Sequence, residues 1–185
     1  MGGSKTILGI DPGTNILGYG IISVDSKGPH YVDMGVFDLR KIKEPFEKLA
    51  NIFAGVNELI GTWHPDELAV ESPFYGKNVQ VVLKLGRAQG AAITAAVMNG
   101  LPVAEYAPRK AKIAICGNGA ASKEQVAMML QKTLRVDLDP KFLDATDALA
   151  IALCHHYQMS SPLAVTGGKS DWKKFLENNP DRIKK

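Results

Sequence analysis

The stretch ILGIDPGTNILGYGII, residues 7–22, contains the pattern that decides the fold. An apolar, β-branched run is followed at once by a turn sequence at residues 11–14, Asp-Pro-Gly-Thr. Two more strand-like runs follow, with a second turn between them at residues 25–29. The order predicts an antiparallel meander at the start of the chain. Its strands are predicted at Thr6 to Ile10, Gly18 to Val24 and Tyr31 to Leu39.

Beyond the meander, helical and strand patterns alternate, which is typical of an α/β protein. Strands are predicted at Glu67 to Val70 and Leu101 to Tyr106. Helices are predicted at Glu44 to Thr62, Asn78 to Asn99, Pro108 to Ile115, Ser122 to Leu134, with Ser122 as N-cap, and Asp144 to Met159. We expect one mixed-sheet α/β domain over residues 1–160. Residues 161–185 lose periodicity and are rich in Gly, Lys and Asn, so we expect a flexible basic tail there.

The composition narrows the class of protein. A chain of 185 residues with 45% hydrophobic content suits one globular domain. No apolar run in the sequence reaches the roughly 18 residues of a membrane span, and the N-terminus does not resemble a signal peptide. Cys116 and Cys154 lie far apart, which indicates neither a disulfide framework nor a zinc site. We therefore expect a cytoplasmic protein with no membrane partner.

The charge is distributed unevenly along the chain. Residues 1–71 contain ten Asp and Glu against six Lys and Arg, whereas residues 72–112 contain six Lys and Arg against Glu105 alone. A basic block beside an acidic one is what a polyanion-binding face next to an acidic site would produce. A solvated surface would give the same pattern, so charge alone does not decide between the two.

Four carboxylates are placed where they can meet. Asp11 and Glu71 each end a predicted strand, and ligands of α/β sheets bind at that edge. Asp144 and Asp147 are three residues apart, so on a helix they share a face. Each residue also has a purely structural alternative. Asp11 is an ordinary turn former, Glu71 is a possible surface charge, and the two aspartates resemble the N-cap and N3 acids of a helix.

A cluster of four carboxylates needs cations, because four like charges packed together do not all ionise unaided. Oxygen ligands favour Mg²⁺ or Mn²⁺ over zinc. Two such ions about 4 Å apart can activate water and stabilise both oxygens of an in-line phosphodiester displacement. The combination therefore indicates a metal-dependent nuclease.

Four stretches together resemble the RuvC family of Holliday-junction resolvases, in order and spacing, over residues 6–158. They are ILGIDPGTNILGYGII (7–22), VESPFYGKN (70–78), LKLGRAQGA (83–91) and DATDALAIALCH (144–155). The resemblance implies an RNase H-like α/β fold, with a five-stranded mixed sheet flanked by helices.

The same resemblance implies an activity and partners. A homodimer would make paired symmetric nicks in a four-way DNA junction during homologous recombination and DNA repair, with a branch-migration motor of the RuvAB type as partner. The family's metal ligands fall on Asp11, Glu71, Asp144 and Asp147. The implied cofactor is Mg²⁺, two ions per active site, with Mn²⁺ as a possible substitute.

The resemblance also implies which residues contact DNA. The family's crossover aromatic falls on Phe74, where it would stack on an unpaired base, a contact of about 1–3 kcal/mol. Its basic contacts fall on Lys112 and Lys123, on either side of a glycine-containing turn. Lys77 and Asn78 continue the loop after Glu71 and are candidates for backbone contacts.

Two departures from the family pattern lie near these contacts. Ser72-Pro73 follows Glu71, where many members have Gln and an aliphatic residue. In LGRAQG, Arg87 and Gln89 stand in the reverse order to the more familiar LGQARG. We expect neither departure to touch the acidic set and both to lie near the DNA or dimer surface.

Three other functions fit parts of the pattern. A phosphotransferase of the actin and sugar-kinase type also ends its first strand in an Asp-Gly-Thr turn, but it needs two such domains. A non-catalytic module for branched DNA would gain nothing from acids that repel phosphate. An RNase H-like enzyme that cuts RNA–DNA hybrids would use the same carboxylates on another substrate.

Overall fold

A computed structural model describes residues 3–73, 78–138 and 143–160 of the chain. These residues form five strands and five helices. The strands are β1 (Lys5–Asp11), β2 (Ile16–Asp25), β3 (Gly28–Asp38), β4 (Glu67–Glu71) and β5 (Val103–Tyr106). The helices are α1 (Pro45–Trp63), α2 (Val79–Met98), α3 (Pro108–Cys116), α4 (Lys123–Leu134) and α5 (Leu143–Ser160).

The strands form one mixed sheet in the order β3-β2-β1-β4-β5. β1, β2 and β3 pair antiparallel, as the meander predicts, whereas β4 and β5 run parallel to β1. The predicted five-stranded mixed sheet flanked by helices is confirmed. The parallel pairing of β1 with β4 matters most for the site, because it brings the C-terminal ends of these two strands to one edge.

Helices cover both faces of the sheet, and alternate residues of one strand face the two layers. In β1, Ile7 belongs to a core that the sheet shares with α3, α4 and α5. The next residue, Leu8, belongs to a second core shared with α1 and α2. The sheet is therefore the middle layer of a three-layer domain.

Helix α5 lies unusually close to the central strands. A Cβ atom at Gly9 would lie 2.1 Å from the carbonyl oxygen of Ala148, and one at Gly18 would lie 2.1 Å from that of Asp144. Both distances are far below van der Waals contact, so only glycine permits this approach of backbone to backbone. The glycines thus set how near the start of α5 lies to β1 and β2.

Two boundaries differ from the expectation. The turn predicted over residues 25–29 is tighter, because Asp25 already pairs with Gly28 and Pro29 pairs with Val24. β3 is an edge strand, where the missing N–H of a proline is tolerated. At the other end of the chain, α5 begins at Leu143 and holds Asp144 in its first turn, so the N-cap alternative for Asp144 is wrong.

Helix α2 is the single helix among the described residues that is long and apolar enough to span a membrane by length and composition. Only 28% of its apolar stretch is buried. The buried part is a face of small residues, including Ala88, Ala92 and Ala95, which packs on the sheet.

Candidate active site

The parallel pairing of β1 and β4 brings two of the predicted acids together. Ile10 lies opposite Val70 in the sheet, so Asp11 and Glu71, one residue further along, leave the same edge side by side. The first two turns of α5 pass over that edge and add Asp144 and Asp147. Residues far apart in the sequence thus converge because the sheet register and one helix place them there.

Three of the four acids line one cleft, and the fourth, Asp144, lies beside two of them. Carboxylate oxygens of Asp11, Asp144 and Asp147 lie within 4.8 Å of one another. Glu71 lies outside that group of three but lines, with Asp11 and Asp147, a cleft of about 240 Å³. Lys112 and Lys123 line it too. The structure therefore brings all four predicted acids to one place.

Two of the acids are strongly affected by their surroundings. Burial, with the charges of Asp147 and Asp144 added, raises the pKa of Asp11 to about 7, although Lys123 opposes the shift. Burial also raises the pKa of Glu71 to about 8, helped by the charges of Asp11 and Asp147. Both shifts mean that burial, together with the neighbouring acids, disfavours the charged carboxylates more than the lysines favour them.

Lys123 is the cation nearest the acids. Its ammonium lies 2.5 Å from a carboxylate oxygen of Asp147 and 3.7 Å from one of Asp144. Burial opposes its charge, but the hydrogen bond and charge of Asp147, with Asp144 and Asp11, raise the pKa of Lys123. Ser122, the predicted N-cap, forms a capping box with Gln125 and so fixes the helix start that carries this lysine.

The other predicted DNA contacts have varied environments. Lys112 lines the cleft and donates a hydrogen bond of 2.7 Å to the carbonyl oxygen of Ala121. Asn78 caps α2, since its side-chain oxygen accepts from the backbone N–H groups of the next turn. Phe74 and Lys77 lie outside the described residues.

The expectation that neither departure touches the acidic set is wrong for Gln89, whose buried amide lies beneath Glu71. The side-chain nitrogen of Gln89 donates to the carbonyl oxygen of Glu71, at 3.2 Å, and to the carboxylate of Glu105, at 3.1 Å. The hydroxyl of Ser72 donates to the same carboxylate, at 3.3 Å. Both departures from the family pattern therefore meet at Glu105. The signal was present in the sequence, but only the fold shows that the two departures are in contact.

The donor set fits a hard divalent cation. All four acids offer oxygen, which Mg²⁺ and Mn²⁺ prefer, and no described Cys or His belongs to the group. An ammonium already lies between Asp144 and Asp147, so this position favours positive charge. Asp11, Asp144, Asp147 and Glu71 are the residues that could hold such an ion.

A second charged cluster occupies the opposite end of β4. Glu67 is 2.5 Å from the Lys5 ammonium and 2.5 Å from Nε2 of His155. The other ring nitrogen of His155 shares a 2.7 Å hydrogen bond with the Tyr106 hydroxyl. His155 is only 3% exposed and joins α5 to two strands.

The sheet order, the helices on both faces and the carboxylate-lined edge define an RNase H-like α/β protein. The family model described as "Crossover junction endodeoxyribonuclease RuvC" matches residues 7–155. A protein of that description from Bacteroides fragilis is 53% identical over 182 residues, which cover 97% of this chain and 96% of the relative. One from Cytophaga hutchinsonii is 48% identical over 180 residues, with 97% and 88% covered.

Solved structures agree with the sequence relatives. The structure described as "T. thermophilus RuvC in complex with Holliday junction substrate" has a TM-score of 0.76 and 34% identity, and covers 83% of this chain and 93% of its own. A second RuvC structure from Thermus thermophilus has a TM-score of 0.74 and 35% identity, with 83% and 94% covered. The chain belongs to the RuvC family.

Proposed function

We propose that this protein is a crossover junction endodeoxyribonuclease that resolves four-way DNA junctions by metal-dependent, paired symmetric nicks during homologous recombination and DNA repair. The observation that carries the proposal is the convergence of Asp11, Asp144 and Asp147 within 4.8 Å, beside Glu71. Family membership and the Thermus RuvC structure with a Holliday junction substrate support the four-way junction as the substrate.

The four acids act as ligands in this proposal. Mg²⁺, two ions per site with Mn²⁺ as a possible substitute, would activate water and stabilise charge on the scissile phosphate. Asp11 and Glu71, whose pKa values lie near or above neutrality, would lose their protons to serve as ligands. Lys112 and Lys123 set positive charge at the rim of the cleft, where it would attract and orient the phosphate. Hydrolysis breaks one P–O bond and leaves ends that can be rejoined.

A homodimer is part of the proposal, because paired nicks need two clefts. α2 presents a stripe of apolar and small residues opposite its buried face: Val79, Leu83, Gly86, Gly90 and Val97, spaced at whole helical turns. Val79, Leu83 and Val97 are all more than half exposed, and Gly86 and Gly90 have open space where a Cβ would lie. A second copy of α2 would approach closely there and cover the apolar residues.

DNA contacts, partners and location complete the proposal. Phe74, Lys77 and Asn78 would contact the junction beside Glu71, with Lys112 and Lys123 on the far side of the cleft. A branch-migration motor of the RuvAB type would deliver the junction, and the cytoplasm is the compartment. The tail at residues 161–185 is proposed as a flexible, basic addition to a domain of residues 1–160.

The test is cleavage of a synthetic four-way junction, with linear duplex and RNA–DNA hybrid alongside, with and without Mg²⁺. Paired nicks in the junction alone, and only with metal, support the proposal. Hybrid cutting would keep the carboxylate chemistry but overturn the substrate. A folded dimer that binds the junction and never cuts it would identify a binding module, and binding of ATP would favour the phosphotransferase.

A further inference from the structure

A second, larger groove lies on the opposite face of the sheet from α3, α4 and α5. It has a volume of about 300 Å³ and runs between α1, α2 and the turn that follows Asp11. It shares no lining residue with the acidic cleft. Its lining consists of Thr14, Asn15, Lys43, Pro45, Phe46, Lys48, Leu49, Ile52, Lys84, Arg87 and Ala88.

The groove is strongly basic. It contains Lys43, Lys48, Lys84 and Arg87, and none of its lining residues is acidic. Lys48 donates 3.0 Å and 2.9 Å hydrogen bonds to neutral oxygens of Thr14 and Asn15, which hold the ammonium in place without cancelling its charge. Within the described part of the chain, no ion pair involves any of these four side chains. Uncompensated cations in a concave surface concentrate positive potential and attract polyanions.

One end of the groove lies close along the chain to the acidic cleft, because Thr14 lines the groove and Asp11 lines the cleft. Thr14 is three residues from Asp11, so their Cα atoms are at most about 11 Å apart. DNA advances about 3.4 Å along its axis per nucleotide, so this span corresponds to about three nucleotides. A phosphate chain held at Asp11 therefore reaches the groove within a few nucleotides.

The reversed order of LGRAQG places charge in the groove. Arg87 lines it, whereas Gln89 is buried beneath Glu71. One helix segment thus presents a cation to the groove and an amide to the site. Phe46, 75% exposed, adds an aromatic ring among the cations, a composition that grooves for nucleic-acid strands share.

We propose that the groove between α1 and α2 binds backbone phosphates of the DNA strand that leaves the acidic cleft. This inference rests on the proposed function and adds a phosphate-binding site to it. Lys84 and Arg87 contact phosphate from α2, and Lys43 contacts it from the segment before α1. Such contacts set register and orientation on DNA and carry no sequence information.

The experiment compares two double variants of equal charge change. Lys84→Gln with Arg87→Gln alters the groove, and Lys27→Gln with Lys132→Gln alters exposed lysines elsewhere. Affinity for a four-way junction is measured in full-length protein at roughly 50 to 200 mM salt, with Ca²⁺ in place of Mg²⁺ and the recovered DNA checked to be uncut. Thermal melting checks that both double variants are folded.

We expect the groove variant to bind at least about tenfold more weakly than wild type, with a salt slope shallower by about 2, because each lost phosphate contact removes about 0.9. The control should stay within about twofold of wild type, since exposed charges act weakly at a distance. A groove variant that matches the control in affinity and slope would overturn the inference. A wild type that neither binds nor cuts the junction would instead overturn the proposed function.

A second measurement needs no substitution. The rate of lysine acylation in wild-type protein is measured under three conditions: in the presence of the junction, in the presence of inorganic phosphate, and in the absence of both. We expect the junction, and not inorganic phosphate, to protect Lys43 and Lys84 while Lys27 stays reactive. Equal protection by inorganic phosphate would show a site for a free anion, and no protection by the junction would leave the groove outside the DNA path. Either result would contradict the inference.

Discussion

Strand β4 carries a glutamate at each end, and the two residues have opposite environments. Glu67 lies against the Lys5 ammonium and His155, and their hydrogen bonds outweigh its burial and lower its pKa. Glu71, four residues on, is buried beside other acids, and its pKa is raised to about 8. Two glutamates of one strand thus differ: neighbouring cations compensate the negative charge of Glu67, whereas the charge of Glu71 is left uncompensated. At the Glu71 end of the strand, a bound cation would supply the positive charge that the fold does not.

The largest expected effect separates the two glutamates by activity. Glu71→Gln removes a proposed metal ligand, and a loss of about 4 kcal/mol of transition-state stabilisation corresponds to about a thousandfold slower cleavage. Glu67→Gln is the matched control, in the same strand with the same change. We expect it to cut the junction at close to the wild-type rate, measured in single-turnover reactions. Equal losses of cleavage rate in both variants would contradict the distinction between the Glu67 and Glu71 ends of β4.

We expect the stability of the two variants to differ in the opposite sense to their activity, with Glu67→Gln the more damaging substitution. Glu67→Gln leaves Lys5 and the buried His155 without their carboxylate, which should lower the free energy of unfolding by about 1–3 kcal/mol. Glu71→Gln relieves repulsion in the metal-free protein and should leave stability unchanged or raise it. Denaturant unfolding of the three proteins in EDTA would show this. A Glu71→Gln variant less stable than Glu67→Gln would contradict it.

The pH dependence of stability provides a third test of the acids around Glu71. The raised pKa values of Asp11, about 7, and Glu71, about 8, mean that the folded protein binds more protons than the unfolded chain from about pH 4 to pH 8. These two groups therefore make the metal-free protein less stable as the pH rises through that window, while Lys123 and Lys112 offset part of the loss. We expect the Tm without metal to fall as the pH rises from about 5 to 8, by roughly 2–4 °C for each 1 kcal/mol of stability lost at this size.

Two conditions should remove that pH dependence. Mg²⁺ replaces the missing positive charge, and Asp11→Asn removes one of the titrating acids, so either should flatten the Tm curve. A curve that stays equally steep in Mg²⁺ would mean that the ion does not bind at these acids.

The smallest effect concerns the support of Glu71. Gln89→Ala removes the amide beneath the Glu71 carbonyl, and one lost hydrogen bond of about 1 kcal/mol corresponds to about fivefold slower cleavage. We expect kcat to fall and the Mg²⁺ requirement to rise, with KM for the junction little changed. Gln131→Ala, which removes an amide bonded to Asp137 and Leu138, is the control for stability alone. A purely structural role for Gln89 would give both variants the same kinetics.

Much of this arrangement could be predicted from the sequence. Strand and helix periodicity located the ten elements that the described residues form. The positions of Asp11 and Glu71 at strand ends indicated a shared edge before the pairing of β1 and β4 was known. These features are local, since apolar spacing and turn residues report on the segment that contains them.

Contacts across the sheet were beyond such reasoning. His155 and Glu67 are 88 residues apart and meet only through the way α5 packs on the sheet, which no local pattern in the sequence reports. Gln89 stood out as a departure, but its bond to Glu71 depends on how α2 packs against β4. Lys123, expected at DNA, also pairs with Asp147, which no spacing in the sequence indicates.

The close approach at Gly9 and Gly18 has a consequence for how the protein tolerates change. Asp144 and Asp147 share a rigid helix whose distance from the sheet is set by bare main chain, so a single methyl group at either glycine would move both carboxylates together. The geometry of half the ligand set therefore depends on two positions that have no side chain. Substitutions can be tolerated widely on the surface of the protein and still not at these two glycines. The distance between helix and sheet that they permit sets the spacing of the proposed metal ligands.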